Sequence, residues 1–176
     1  MNSLSPSPGF DRRLCLSANR WGAHRAVAAF FGAVSRLGDG AFWYALMLAL
    51  AAFGGTRGAL VAVQMLLTGL VALLLYRNLK HWTRRPRPFR NGDGVIARVP
   101  PLDEFSFPSG HTLHAVGFSV VALAHYPALA PLLLPFTALV AISRVVLGLH
   151  YPSDVLAAVG IGGALGACSL WVGPLV

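Results

Sequence analysis

The chain has 176 residues, of which 56% are apolar and only 11% are charged, and its mean hydropathy is +0.64. Soluble domains carry about 25% charged residues, so this chain has too few charges to cover a water-facing surface. Composition therefore excludes an ordinary soluble enzyme, a nucleic-acid-binding protein and a disordered linker, despite the net charge of +8. We predict an integral membrane protein that contacts the bilayer and binds no nucleic acid.

The membrane spans are predicted from four segments that contain no Asp, Glu, Lys or Arg: 41–56, 58–76, 105–143 and 155–176. A spanning helix needs about 20 apolar residues, so 58–76 and 155–176 each predict one span, and 41–56 predicts a shorter one. The third segment is too long for a single span and breaks at a Pro-containing turn, which predicts helices near 110–126 and 128–149. The fold class is therefore an all-α, polytopic transmembrane helical bundle with five spans, or six if residues 22–37 also cross.

The N-terminal part of the chain has a different composition. Residues 1–9 predict a disordered tail, and no apolar core follows an N-terminal positive charge, so we expect no cleaved signal peptide. Residues 10–37 mix arginines with aromatic side chains, which is typical of an amphipathic segment lying in the membrane interface. Its apolar part is too short to span unless the flanking arginines reach the head groups. We therefore divide the chain into residues 1–38, the tail and interfacial segment, and residues 39–176, the transmembrane domain.

The predicted helices alternate in direction, and this alternation brings the polar residues to one membrane face. Regions 77–90, 108–111 and 143–154 all end there, carrying Lys80, Arg84, Arg85, Arg87, Arg90, Ser109, His111, His114, Arg144, His150 and Asp154. Ionisable residues beside a membrane span are costly and indicate function. Such cations would bind an anion with several oxygens, the histidines would donate protons or act as nucleophiles, and the carboxylate would orient a histidine.

Each of these regions also has an ordinary structural interpretation. A basic stretch such as 80–88 is typical of a helix end that meets lipid head groups, and Arg144 alone could be a snorkelling arginine. Ser109 suits an N-cap, Gly110 permits close backbone approach, and the N–H groups of the following turn suit an anion. A plain loop-to-helix turn would have the same sequence, so only the convergence on one face favours a site.

His150 and Asp154 are separated by Pro152, which favours a helix that begins there. Asp154 could then accept the proton of one ring nitrogen of His150 and leave the other nitrogen free as a nucleophile. Cys15 and Cys168 are far apart in the sequence and indicate neither a disulfide framework nor a metal cluster.

The three polar regions together resemble the three-part signature of the type-2 phosphatidic acid phosphatase family. The matching motifs are Lys80-x6-Arg87-Pro88, Pro108-Ser109-Gly110-His111 and Ser143-Arg144-x5-His150-x3-Asp154. All eleven fixed positions are present in order, and the resemblance extends from about residue 40 to residue 176. The family shares its core with bacterial class A acid phosphatases and vanadium haloperoxidases.

The resemblance implies a mechanism. His150 would attack phosphorus to form a phosphohistidine, Asp154 would hold His150 in orientation, and His111 would protonate the leaving oxygen and then activate water. The phosphoryl oxygens would be held by Lys80, Arg87, Ser109, Gly110 and Arg144. Since cations supply the positive charge and the sequence offers no carboxylate cluster for Mg²⁺, we predict no metal and no cofactor. His114 is not a motif position, and we expect it to serve helix packing.

The predicted substrate is a lipid phosphate or diphosphate, because the site would lie at the interface with the lipid tail left in the bilayer. Undecaprenyl diphosphate, phosphatidylglycerol phosphate, phosphatidic acid and a lipid A phosphate all fit, and the small size favours a prenyl diphosphate by resemblance only. The alternatives are a lipid phosphotransferase with the same nucleophile and a non-catalytic lipid-binding protein or scramblase. A haloperoxidase is disfavoured because those relatives are soluble.

The side of the membrane on which the site lies is predicted in opposite ways by two arguments. With an interfacial N-terminal segment, Arg57 is alone among the 14 basic residues in lying away from the site. The positive-inside rule would then place the site in the cytoplasm, although a span at 22–37 would weaken this bias. The resemblance implies a bacterial inner membrane protein with a periplasmic site, and this is our prediction.

Overall fold

The computed structural model describes residues 9–92 and 94–172, and all regular secondary structure in this part of the chain is helical, without a β-strand. The predicted tail at 1–9 lies outside it except for its last residue, as does the end of the predicted 155–176 span. The helices are α1 (Gly9–Trp21), α2 (Arg25–Arg36), α3 (Phe42–Phe53), α4 (Gly55–Thr83), α5 (Gly110–His125), α6 (Ala130–Val146) and α7 (Pro152–Trp171).

The helix ends differ from the predicted ones where polar residues continue or interrupt a helix. Helix α4 continues for two turns beyond residue 76, because helical geometry persists through polar residues that an apolar-length rule does not count. Helix α6 ends at Val146, since Gly148 adopts a left-handed φ of +74° and sits so close to the loop that a Cβ would lie 2.6 Å from the Ile96 carbonyl oxygen. Helix α7 begins at Pro152, as predicted.

Three helical segments are long and apolar enough to cross a membrane: Gly55–Arg90, Pro127–Val146 and Pro152–Trp171. Helix α3 has 12 residues and α5 has 16, which is shorter than the roughly 17–25 residues of a typical span. The all-helical fold class is therefore confirmed, with three candidate spans among the described residues.

Helix α5 lies at the centre of the bundle and packs against α4, α6 and α7. Small residues allow the closest of these contacts, between α5 and α7. A Cβ on Gly162 would lie 2.5 Å from the Leu113 carbonyl oxygen, and one on Gly166 would lie 2.7 Å from Cβ of Val120. Close backbone approach through small residues is the usual way that membrane helices associate. It fixes the start of α5 beside the start of α7.

Helices α1 and α2 form a pair, broken at residues 22–24, and pack against the ends of α6 and α7. The Asn19 amide fastens α1 to the end of α6 and to the loop before α5: its Nδ2 donates to the carbonyl oxygens of Val146 (3.1 Å) and Ile96 (2.9 Å), and its Oδ1 accepts from the Ile96 N–H (2.9 Å). The N-terminal segment is therefore a pair of helices. Its place in the membrane interface and the domain boundary at residue 38 stay predictions.

Candidate active site

The three predicted motifs converge on one cavity of about 860 Å³. One end of the cavity is polar and is lined by the predicted site residues Lys80, Arg87, Gly110, His111, Arg144 and His150. Ser109 and Asp154 lie behind this lining and are fully buried. Ser109 occupies the N-cap position of α5, but its hydroxyl contacts the Thr112 hydroxyl (3.0 Å) and caps no backbone N–H.

His150 lies between α6 and α7 and is 1% exposed. Its Nδ1 donates to the Ser106 carbonyl oxygen at 2.6 Å, which leaves Nε2 unprotonated and 3.4 Å from Nη1 of Arg87. Arg87 is itself held by the Leu149 carbonyl oxygen at 2.7 Å. Burial lowers the pKa of His150 to about 4; Asp154 opposes this shift, and Arg144 and Arg87 act in the same direction as burial. The ring is therefore a neutral imidazole near neutral pH, with a free lone pair.

Asp154 lies further from His150 than a direct hydrogen bond allows: its Oδ2 is 3.8 Å from Nδ1. The carboxylate instead accepts from the Tyr151 N–H (2.8 Å), from Arg85 (2.6 Å) and from the Ser106 hydroxyl. Ser106 thus connects the two motif residues, because its carbonyl oxygen accepts a hydrogen bond from His150 while its hydroxyl donates one to Asp154. The orienting contact expected between Asp154 and His150 passes through Ser106.

Arg85 joins this arrangement to the N-terminal helix. Its guanidinium binds Asp154 (2.6 Å) and Asp11 of α1 (2.8 Å). Asp11 also accepts from the backbone N–H of Ser153 (3.0 Å), one of the unpaired donors in the first turn of α7. Helix α1 therefore contacts the residues that fix Asp154, which the sequence did not predict.

Lys80 and Arg87 share one counter-charge, the carboxylate of Asp103. Nζ of Lys80 lies 2.6 Å from one oxygen and Nη2 of Arg87 lies 2.8 Å from the other. Burial would raise the pKa of Asp103, but the two cations outweigh it and hold the pKa below its usual range. The Asp103 carboxylate is thus paired with the two cations that the motif predicts to bind a phosphate.

Arg144 is 3% exposed at the polar end of the cavity. Its Nη1 donates to the Ser35 hydroxyl, while its Nε has no hydrogen-bond partner among the described residues. Buried donors are normally paired, so an anion in the cavity would suit this side chain. In the part of the chain that the structure describes, no three His, Cys, Asp or Glu side chains are grouped as metal ligands.

His111 and His114 lie in the first two turns of α5. Nε2 of His111 is 3.3 Å from Oδ1 of Asp39, which belongs to a turn between α2 and α3. The ring nitrogens of His114 contact the Gly110 carbonyl oxygen (2.9 Å) and the Gly69 carbonyl oxygen of α4 (3.0 Å). His114 therefore joins α5 to α4, in keeping with the packing role expected for it.

The other end of the cavity is apolar and lies between α3 and α4. It is lined by Tyr44, Met47, Leu66, Leu67, Leu70 and Leu73. Several of these side chains are more than half exposed, among them Tyr44 (60%), Leu66 (54%) and Leu70 (54%). The cavity therefore opens sideways, toward the space that lipid would occupy around a membrane helix.

Sequence reasoning missed Asp11, Asp39 and Asp103, because each contacts the site only through the tertiary fold. The small number of acidic residues in the sequence was the signal that could have pointed to these three. The chain has six acidic residues, and these three, together with Asp154, contact a cation or histidine of the polar site. In a chain with so few acidic residues, each carboxylate is expected to pair with a cation or a histidine.

Residues 40–175 match the PAP2 superfamily. The chain belongs to this superfamily. Among curated relatives, it is 33% identical to undecaprenyl-diphosphatase BcrC of Bacillus subtilis over 114 residues, which is 64% of this chain and 58% of the relative. It is 35% identical to phosphatidylglycerophosphatase B of the same species over 107 residues, 51% of this chain and 46% of that protein. The chain thus spans about half the length of the curated relatives that it matches.

Two solved structures share the fold. One is the first transmembrane PAP2 type phosphatidylglycerolphosphate phosphatase from Bacillus subtilis. It superposes on this chain with a TM-score of 0.73 at 26% sequence identity, and the superposition covers 93% of this chain and 84% of that one. The other is Aquifex aeolicus LpxE, with a TM-score of 0.78 at 24% identity, covering 94% of this chain and 97% of that one. At this identity the second likeness concerns the fold alone.

Proposed function

We propose that this PAP2 protein is an integral membrane hydrolase that releases phosphate from a lipid phosphate or diphosphate through a phosphohistidine. One observation carries the proposal: the unprotonated Nε2 of His150 lies at the cationic end of a cavity whose apolar end opens between α3 and α4. A phosphate group at the polar end would lie beside the nucleophile while its lipid tail follows the apolar end.

In the first step, Nε2 of His150 attacks phosphorus and the bond from phosphorus to the leaving oxygen breaks. Lys80, Arg87 and Arg144 stabilise the charge on the phosphoryl oxygens, and the N–H groups at the start of α5, beside Gly110, add donors. His111 gives its proton to the leaving oxygen, so that the lipid departs as a neutral alcohol or as a monophosphate. Phosphoryl transfer depends mainly on such positioning and charge stabilisation.

In the second step, water replaces the lipid. The now neutral His111 takes a proton from the water, and the oxygen attacks the phosphohistidine as the phosphorus–nitrogen bond breaks. Inorganic phosphate leaves and His150 returns to its neutral form. The cations supply the positive charge that a metal provides in other phosphatases, so we propose that the reaction needs no metal.

The relatives support a prenyl diphosphate as the first candidate substrate, with phosphatidylglycerol phosphate second. The names of two relatives specify an undecaprenyl diphosphate and a phosphatidylglycerophosphate. A third relative, 36% identical over 90 residues, is the decaprenylphosphoryl-5-phosphoribose phosphatase of Mycobacterium tuberculosis. All three names specify a phosphate on a lipid, which the two-ended cavity would suit.

We further propose that α3 to α7 form five spans in a bacterial inner membrane, with α1 and α2 in the interface and the site on the periplasmic face. Support comes from the helix ends: α4 ends, α5 begins, α6 ends and α7 begins at the site. Helix α5 would extend about 24 Å at 1.5 Å per residue, so it would cross in a thinned region or with its polar first turn in the head groups.

The test is phosphate release by the purified protein from undecaprenyl diphosphate, phosphatidylglycerol phosphate, phosphatidic acid and lipid A in mixed micelles, with and without EDTA. We expect hydrolysis of at least one lipid, unchanged by EDTA and inhibited by vanadate. His150→Ala should abolish it, whereas His125→Ala, at the opposite end of α5, should not. Release by His150→Ala, or release that requires a metal, would contradict the mechanism.

The intermediate can be trapped separately. Rapid alkaline quenching with a ³²P-labelled lipid should leave label on the wild-type protein and none on His150→Ala, because phosphohistidine survives alkali. Label that moves to a second lipid instead of water would identify a phosphotransferase. A protein that releases no phosphate, takes up no label and does not bind vanadate would refute an enzymatic role.

A further inference from the structure

A carboxylate outside the three motifs lies in the polar end of the cavity. Asp39 belongs to the kinked turn Leu37–Ala41, between α2 and α3. Glycines flank it on both sides. Gly40 adopts a φ of 137°, and Gly38 packs so tightly on α6 that a Cβ would lie 2.7 Å from Cγ2 of Val140. The turn therefore depends on both glycines, and it places Asp39 in the lining of the cavity.

The Asp39 carboxylate contacts the histidine that the proposed mechanism uses as its acid. Its Oδ1 lies 3.3 Å from Nε2 of His111. The other ring nitrogen, Nδ1, makes no hydrogen bond to any residue that the structure describes. With Nε2 beside the carboxylate, Nδ1 is the nitrogen left to exchange a proton with a leaving oxygen. Burial raises the pKa of Asp39 while the charge of Arg144 opposes it.

The cavity around His111 is lined by the cations Lys80, Arg87 and Arg144 and by His114 and His150, while the Asp103 carboxylate is paired with Lys80 and Arg87. Nearby cations disfavour a positive imidazolium, yet an acid catalyst must carry its proton when the substrate arrives. A carboxylate at the ring offsets that repulsion. The two site histidines are thus treated oppositely, since Nδ1 of His150 meets a neutral carbonyl oxygen and Nε2 of His111 meets a carboxylate. When two titratable groups have different environments, one favours its protonated form and the other its neutral form, which separates the acid from the base.

We propose that Asp39 is a positioning residue for His111: it fixes the ring so that Nδ1 faces the leaving oxygen and stabilises the protonated form that donates to it. This inference rests on the proposed function, because it assigns Asp39 a part in the same reaction. Asp39 touches no reacting atom, and it acts through His111 alone.

The first test is Asp39→Asn, which keeps the shape of the side chain and removes its charge. With the lipid that the wild-type protein hydrolyses fastest, kcat should fall by about tenfold, as is typical when a supporting partner is lost, and KM should change little. The alkaline limb of the kcat profile should move to lower pH, because the imidazolium has lost its counter-charge. The matched control is Glu104→Gln, which removes an exposed ion pair with Arg90. This variant should leave kcat and the alkaline limb of its pH profile unchanged.

Other outcomes would overturn the inference. An unchanged kcat and pH profile would remove Asp39 from the reaction. A raised KM and weaker vanadate inhibition with an unmoved alkaline limb would show that Asp39 acts through Arg144 instead. Should Asp39→Asn fail to fold in detergent, Asp39→Ser, which is smaller and also uncharged, should give the same shift of the limb.

A second measurement separates this inference from the proposed function. The His111 imidazole can be titrated by NMR in detergent with labelled histidine, its signal assigned through His111→Gln among the six histidines. The midpoint should fall in Asp39→Asn and stay in Glu104→Gln. A wild-type protein that hydrolyses none of the lipids would refute the function while this shift still tests the contact. An unmoved midpoint would refute the contact even in an active enzyme.

Discussion

His150 is almost fully buried at the polar end of the cavity, and its protonation state follows from that burial. A histidine in water has a pKa of about 6.5, whereas burial lowers that of His150 to about 4. The proposed nucleophile must be neutral, and lowering its pKa extends the neutral form to more acidic pH. The Asp154 carboxylate raises the pKa of His150, but burial outweighs this effect.

A pH profile tests this. For kcat/KM, which reports the free enzyme, we expect activity to persist as the pH falls from neutrality and to be lost only as it passes through about 4, the pKa of His150. Fluorescence of the same samples would confirm that the protein stays folded. An acid limb near the ordinary histidine pKa would contradict the proposed state of His150.

Asp103 makes a second residue-level prediction, because it occupies Lys80 and Arg87 where a phosphate would bind. Asp103→Asn removes a competing anion, and vanadate should then inhibit more strongly. Partly exposed ion pairs contribute up to about 1 kcal/mol, so the gain should reach about fivefold. The inhibition constant measures it, with Glu104→Gln as control. Weaker inhibition would instead show that Asp103 holds the two cations in place.

Among the helices, α5 and α7 depend on each other through glycine, and the chain supplies a matched pair of sites to show it. Gly162→Ala should lower the stability by about 1–3 kcal/mol, the usual cost of overpacking, because its Cβ would meet the Leu113 carbonyl oxygen. Gly160→Ala, with nothing within 4 Å of its Cβ, should be neutral or stabilising. Thermal unfolding in detergent would compare them, and equal melting temperatures would contradict this packing.

The sequence predicted the elements where local chemistry determines them. The start of α7 at Pro152 and the turn between α5 and α6 at Pro127 follow from the prolines there. The end of α4 was placed too early, since apolar length says little about a helix that runs on into a polar cavity. The turn at Asp39 was not predicted at all, because a kink between two helices depends on how α2 and α3 pack and not on local propensity.

The same division applies to the site. The motif residues lie together at one cavity, because helices that alternate in direction bring their ends together. The roles assigned to them stay predictions. Ser106 and Asp11 were missed, and the partners of Arg85 were not predicted, because these contacts join segments far apart in the chain and no spacing rule relates such segments.

On the scale of the whole molecule, the proposed five-span topology predicts which exposed positions face which compartment. In a Cys168→Ser background, where Cys15 is fully buried, Trp82→Cys lies at the catalytic end and Phe53→Cys at the opposite end, both natural side chains being about nine-tenths exposed. A membrane-impermeant maleimide should label Trp82→Cys on spheroplasts and label Phe53→Cys only after lysis. The reverse pattern would place the site in the cytoplasm, as the distribution of basic residues suggests.

Under the proposed function, the sideways opening of the cavity between α3 and α4 would determine which substrate concentration sets the rate. A lipid that entered from within the bilayer would not pass through water, so its encounter rate would depend on the number of its molecules per unit of membrane area. Diluting the sample with buffer should leave such a rate unchanged, whereas adding inert lipid or detergent should lower it. The rate would thus depend on the surface concentration of the substrate in the membrane and not on its concentration in the whole sample.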